Sequence, residues 1–230
     1  MPSPAHPIER KLAAIFAADV AGYSRLMGQD EVGTLRTLAA HREIMDRLIG
    51  EHRGRIANTA GDSVLAEFPS VVDAVQCAVQ VQQALAEANE GVPEDRRMSF
   101  RIGVHMGDVM IRGGDLLGDG VNVAARLQAL ARPGGVCLSG EAHQYARKIL
   151  HFAYEDLGHQ TVRNIEEPIR AYAVKPVRLA GGETGQPSES SRTLSLPDRP
   201  SIAVLPFENI SGSPEDEYFA GAIFLRAISA

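Results

Sequence analysis

Cysteine is scarce in this chain: 2 in 230 residues, at Cys77 and Cys137. They provide no disulfide framework and no CxxC spacing for a metal. Both sit in apolar surroundings and are expected to be small core residues. Long hydrophobic runs are also missing; no segment approaches the ~18 consecutive apolar residues that span a bilayer. The leader, residues 1–10, carries Pro and charge but no apolar signal core. Excess positive charge is absent too. The formal net charge is −6, which argues against a basic nucleic-acid-binding surface and against a nucleic-acid partner. A local phosphate site is still compatible with that charge, because bound cations can supply it. The 7 histidines form no ligand spacing, and there is no internal repeat. These absences point to a reducing, cytoplasmic compartment with no direct membrane segment.

Hydrophobic residues make up 44% of the chain, enough for a sizeable core in one or two domains. Residues 11–18 (KLAAIFAA) read as a buried strand that Asp19 ends. Val20-Ala21-Gly22-Tyr23-Ser24 reads as a turn with Ser24 as a helix N-cap. Residues 25–51 are predicted helical, with Gly28 and Gly33 marking off a short first helix. Residues 56–68 (IANTAGDSVLAEF) predict two short strands around a Gly61-Asp62 turn of type II′. Val64, Ala66 and Phe68 share one face of the second strand, and Leu65 and Glu67 the other.

An amphipathic helix is predicted over 71–88 and a half-buried strand from Phe100 to Met106. Gly107-Asp108 is expected to bend the chain, and 112–120 to be a loop. A helix over 121–131 stops at Pro133-Gly134-Gly135; Val136-Cys137-Leu138 forms a strand, and Ser139 caps a helix to about Leu150. Residues 152–157 and 169–174 read as a closing strand pair. Hairpins mixed with helical crossovers favour an α+β fold, a ferredoxin-like βαββαβ arrangement with a mixed, mainly antiparallel sheet and a C-terminal extension. Residues 177–199, rich in Gly, Ser, Pro and Thr, read as a flexible linker. The thirty-odd residues from 200 to 230 are too few for a domain and are expected to be the truncated start of a second one.

Two carboxylates stand out. Asp19 and Asp62 fall at strand ends, where together they can hold hard divalent cations, with the Val20 carbonyl as a further oxygen ligand. The alternatives are a helix-capping role for Asp19 and a turn-residue role for Asp62. The helix N-terminus after Gly22-Tyr23-Ser24 favours a triphosphate. Asn122 and Arg126, four apart, share one helix face. On spacing alone they read as solvated polar residues; on chemistry, Arg126 suits a charged phosphoryl group and Asn122 a ribose. His105 reads as a satisfied structural histidine.

Three stretches, FAADVAGYS (16–24), TAGDS (59–63) and LGDGVNVAAR (117–126), resemble in order the signature segments of class III nucleotidyl cyclases. RIGVHMG (101–107) resembles that family's central strand, and the likeness covers residues 11–176. Residues 201–223 resemble the start of the TolB-like module that follows the cyclase domain in some bacterial, TPR-containing relatives.

The resemblance implies an adenylate cyclase that makes 3′,5′-cyclic AMP and pyrophosphate from ATP in a head-to-tail homodimer. Two Mg²⁺ (or Mn²⁺) ions would sit on Asp19, Val20 and Asp62 of one subunit. Asn122 and Arg126 of the other would be the catalytic residues. Arg163 aligns with a basic residue that holds the terminal phosphates. Asn58 and Asp115 occupy the base-reading positions, where adenylate-selective members carry Lys and Asp or Thr. Asp115 favours adenine; Asn58 is a neutral, shorter donor that also suits guanine, so GTP is the alternative substrate. Gly113-Gly114-Asp115 does not continue into a diguanylate cyclase signature. Two other function classes compete: a cyclase-like regulatory module that binds nucleotide without turnover, and a metal-dependent nucleotide hydrolase giving linear products.

Overall fold

The computed structural model describes residues 9–161 and 168–175. Its centre is β1 (Glu9–Val20), which is apolar on both faces. Ala14, Phe16, Ala18 and Val20 enter one core, while Ala13, Ile15 and Ala17 enter another. That double burial is why the sequence shows an unbroken apolar run there rather than alternation. The strand continues through Asp19 instead of ending before it, because Asp19 and Val20 still pair with Arg101 and Phe100.

After β1 come α1 (Tyr23–Gln29) and α2 (Glu31–Glu51), then the hairpin β2 (Arg55–Ala60) and β3 (Ser63–Phe68). Asp30 divides the two helices, its side chain accepting from the Gly33 N–H at 2.9 Å. Ser24 is not the N-cap. Gly22 holds that place in a left-handed conformation (φ 71°), and Ser24 lies inside the first turn of α1. Next are α3 (Val71–Ala88), β4 (Phe100–Arg112), β5 (Asp115–Leu117) and α4 (Asp119–Leu130). β6 (Val136–Ser139), α5 (Gly140–Ala146), β7 (Tyr154–Gln160) and β8 (Ile169–Val174) complete the described fold. α5 stops short of Leu150, although Ser139 does cap it, accepting from the Ala142 N–H.

Two expectations about the β4 region are corrected. Gly107-Asp108 makes no turn, since β4 runs straight on, paired to β1 from Phe100 to Ile111. The presumed loop after it contains β5, folded back on β4 through Gly113 and Gly114, both at positive φ. A Gly-Gly pair is itself a two-residue hairpin signal, here between Ile111-Arg112 and Asp115-Leu116.

The sheet runs β2-β3-β1-β4-β6-β8-β7, with β5 added to β4. Only β4 and β6 pair in parallel, joined by the α4 crossover; the other pairings are antiparallel. The mixed, mainly antiparallel α+β arrangement is as expected. α1, α2, α3 and α5 pack on one face against Phe16, Phe68, Phe100 and Ile102. On the other face, Ala124 of α4 packs with Ile15 and Val109, and Val123 and Leu127 pack with Cys137 and Ala171. Both cysteines are free and buried, in keeping with a core role. No helix among the described residues is long and apolar enough to cross a membrane.

Candidate active site

The β2–β3 turn delivers Asp62 to the end of β1. Gly61 has φ 59° and Asp62 does not share its positive φ, which is the pattern of a type II′ turn. The Val20 N–H donates to Asp62 Oδ2 at 3.2 Å, so the turn is fastened to the strand that carries Asp19. In β1 alternation Asp19 follows Ala17 and Ile15, and therefore projects on the side of the sheet that α4 covers. The Asp62 carboxyl lies close enough to Asp19 to act on its titration. Burial pushes the Asp19 carboxyl up from its ordinary 3.8 to about 6, and the Asp62 carboxylate adds to the rise. The Arg101 guanidinium, 3.4 Å from Asp19 Oδ2, and the Val20 backbone draw it back in part. Two carboxylates held this close repel one another, and a bound cation relieves that repulsion. An oxygen-only donor pair fits Mg²⁺, which takes one or two carboxylates and completes its shell with water and phosphate oxygens.

Arg42, on α2, braces this turn from outside. Its guanidinium donates to the carbonyls of Gly61 (3.0 Å) and Ser63 (2.9 Å), on either side of Asp62. No local sequence signal marks Arg42; only the packing of α2 beside the hairpin does. Replacing it with Ala frees the turn, and the half-saturating Mg²⁺ concentration is expected to rise about tenfold, as for other residues that orient a metal ligand. A Mg²⁺ titration of wild type and Arg42→Ala measures it, and equal affinities would remove Arg42 from the site.

Asn58 and Asp115 also come together. Asn58 Nδ2 donates to Asp115 Oδ1 at 3.4 Å, across the gap between β2 and β5. A β-bulge brings this about. Ile56 pairs with Ala66 but Asn58 pairs with Leu65, leaving Ala57 as the extra residue. With an unbroken register Asn58 would lie opposite Val64, facing the core. The bulge turns it to the face of Leu65, the same side of the sheet as Asp19.

Asn122 and Arg126 stand apart from these pairs. Both are exposed on the outer side of α4, whose inner side buries Val123, Ala124, Leu127 and Gln128. Among the described residues no hydrogen bond or ion pair joins either of them to Asp19 or Asp62. Arg163 lies outside the described residues, as do 177–199 and 200–230. His105 behaves as a structural residue: its Nδ1 is 2.9 Å from Ser139 Oγ, and burial lowers its pKa.

Comparisons with known proteins bear on this arrangement. The family model described as "Adenylate and Guanylate cyclase catalytic domain" matches residues 8–176. A Rhizobium meliloti (strain 1021) protein named "Putative adenylate cyclase 3" is 48% identical over 217 residues, covering 94% of this chain. The chain spans only 37% of that relative's length. A solved adenylate/guanylate cyclase/hydrolase from Silicibacter pomeroyi is 43% identical, with a TM-score of 0.70, over 74% of this chain and 99% of that one. The adenylyl cyclase CyaB from P. aeruginosa shares the fold at 20% identity, with a TM-score of 0.66, over 76% and 100% of the two chains. The fold, the order of the three motifs and the match over residues 8–176 agree: this chain belongs to the adenylate and guanylate cyclase catalytic domain family.

Proposed function

We propose that this chain is the catalytic portion of a cytoplasmic adenylate cyclase, converting ATP to 3′,5′-cyclic AMP and pyrophosphate at a head-to-tail homodimer interface. The Asp19–Asp62 pair carries the reading. Two acids held close together at a sheet end, one of them pushed up to about 6, cost stability in the metal-free protein and find their use in holding cations. Asp19, Asp62 and the Val20 carbonyl would hold two Mg²⁺ or Mn²⁺ ions, which would supply Lewis-acid activation of the ribose 3′-hydroxyl and neutralisation of the triphosphate. Gly22, Tyr23 and Ser24 offer N–H groups to the phosphates. The 3′-oxygen attacks the α-phosphorus in line and pyrophosphate leaves.

Asn122 and Arg126 of the partner subunit complete the site. Their exposure on α4, away from the acids of their own chain, supports this division. Asn122 orients the ribose and Arg126 meets the charge gathering on the α-phosphoryl oxygens. Arg163 is the proposed holder of the terminal phosphates. ATP is favoured over GTP because Asp115 accepts from the adenine 6-amino group and repels the guanine O6. The name carried by the Rhizobium relative points the same way. The second reading, a nucleotide-binding module with little turnover or relaxed base choice, draws on Asn58, whose bond to Asp115 is long at 3.4 Å and uncharged on the donor side.

The test is a mixture. Asp62→Ala and Arg126→Ala are each expected to be inactive alone. Random mixing makes half the dimers mixed, each with one intact site, so about a quarter of wild-type cyclic AMP formation returns. Products are followed with ATP and GTP in competition. No recovery on mixing would overturn the shared site, GTP preference would overturn the assignment of Asp115, and linear products would favour hydrolysis.

A further inference from the structure

Beside the Asn58–Asp115 pair lies an ionic cluster that the motifs do not include. Glu67 of β3 is buried, its side chain only 6% exposed. It accepts a hydrogen bond from Arg55 Nε at 2.6 Å on one oxygen, and Lys11 Nζ stands 3.0 Å from the other as an ion pair without hydrogen-bond geometry. Arg55 lies opposite Glu67 in the β2–β3 register, and Lys11 comes from β1. The Arg55 guanidinium has a second task. Its Nη1 donates to the Gly114 carbonyl at 2.8 Å, in the tight β4–β5 turn. Asp115 is the next residue, and Asn58 is three residues after Arg55 on its own strand.

We propose that Arg55, anchored by the buried Glu67 carboxylate, is a positioning residue that sets base selectivity by tying the β4–β5 turn to the β2–β3 hairpin. The proposal rests on the reading of Asn58 and Asp115 as the base-reading pair. Its logic is mechanical. Asn58 and Asp115 sit on different hairpins and touch each other only through a long, weak bond. β5 has just three residues, and its turn has two glycines at positive φ, so β5 alone holds Asp115 loosely. The Arg55 fork supplies a fixed span between the hairpins, because a planar guanidinium binds Glu67 and the Gly114 carbonyl at once. Lysine has one cationic point and cannot hold both partners in that geometry. Arg55 is 44% exposed, but its partner is not: losing Arg55 would leave the buried Glu67 carboxylate with Lys11 alone, which holds the guanidinium to its inner partner.

The experiment measures kcat and KM for ATP and for GTP in the full chain, wild type against Arg55→Ala, Arg55→Lys and Asp115→Ala. Thermal midpoints are recorded alongside. Arg55→Ala is expected to lower the ATP-to-GTP ratio of kcat/KM about tenfold, through KM for ATP, while kcat at saturating ATP stays within about threefold. Arg55→Lys keeps the charge on Glu67 and the fold, and is expected to show the same loss of selectivity with a near-wild-type thermal midpoint. Should Arg55→Ala not fold, Arg55→Lys carries the test. Equal losses for both nucleotides with an unchanged ratio would mean that Arg55 only supports the fold, and the proposal would fall. Asp115→Ala separates the two layers. If it lowers the ratio and neither Arg55 variant does, Arg55 has no role in selectivity and the base-reading pair stands. If Asp115→Ala leaves the ratio unchanged, the base-reading assignment fails and takes this proposal with it.

Discussion

Asp62→Ala is expected to lower cyclic nucleotide formation on the order of 10³-fold or more, the scale of losing a directly acting electrostatic group in a metal-assisted reaction. The same substitution has a signature independent of activity. In the metal-free protein the Asp19 carboxyl titrates near 6, above its ordinary 3.8. A carboxyl raised on folding contributes stability that is fully present below the lower value and is lost as the pH rises through the higher one. Wild-type protein without metal is therefore expected to lose stability between about pH 4 and pH 7 on account of Asp19. Burial is the first cause of the rise and survives the substitution, whereas the contribution of Asp62 does not. The slope is expected to flatten in Asp62→Ala without vanishing.

Added Mg²⁺ should raise the wild-type melting temperature at neutral pH, because it binds only the folded site, and should raise that of the variant far less. Calorimetry at a series of pH values, with and without Mg²⁺, reads both effects. A variant with wild-type turnover and an unchanged Mg²⁺ response would return Asp62 to the status of an ordinary turn residue.

That lesser status was a fair reading of the sequence alone, and the reason shows what a sequence carries. β1 is legible as an unbroken apolar run, and β4 and α3 because their apolar residues recur with a period that the fold obeys. Asp19 and Asp62 are legible as a pair only through motif order. The contact that fastens Asp62 to this strand joins it to Val20, 42 positions away, and no local pattern encodes it. The bulge at Ala57 is hidden for a different reason. Ala and Asn are small enough to sit on either face of a strand, so the pattern of β2 does not say which way Asn58 points.

Glu67 lies on the face away from Val64 and Phe68, as strand alternation predicts, yet that face is not solvated at this position. Arg55 closes over it from the other strand of the hairpin, and Lys11 from β1, which only the tertiary fold brings alongside. Ser24 lost the capping position to Gly22 because the chain leaves β1 through a left-handed turn, which glycine takes at little cost and serine does not. In each case the missing information is long-range packing or a backbone conformation, and the residues involved lie at or next to the site.

Gly103→Ala carries the same reasoning to the opposite side of the site. Gly103 lies mid-strand in β4, paired with Ala17 of β1 and Cys137 of β6. Its need for glycine is one of space, not of φ. A Cβ there would fall on the backbone of Ala124 and Gln128 in α4, which is main chain and cannot rotate aside. α4 has no room to settle elsewhere, since Ala124 is fully buried and Leu127 is 1% exposed between it and the sheet. The helix must lift, and the expected loss of stability is about 3 kcal/mol, the upper range for overpacking a tight core. Lifting α4 displaces Asn122 and Arg126 together, so turnover at saturating ATP is expected to fall about 100-fold, the cost of roughly an ångström of misplacement. Asp19 and Asp62 are carried by β1 and the β2–β3 hairpin, and Mn²⁺ affinity is expected to stay within about threefold of wild type if α4 moves alone. Turnover lost while metal binding persists would locate Asn122 and Arg126 as a separate half of the machinery. Metal binding and turnover lost in parallel would mean instead that the small residue holds the whole sheet in register, and that α4 does not act as an independent carrier of the two groups.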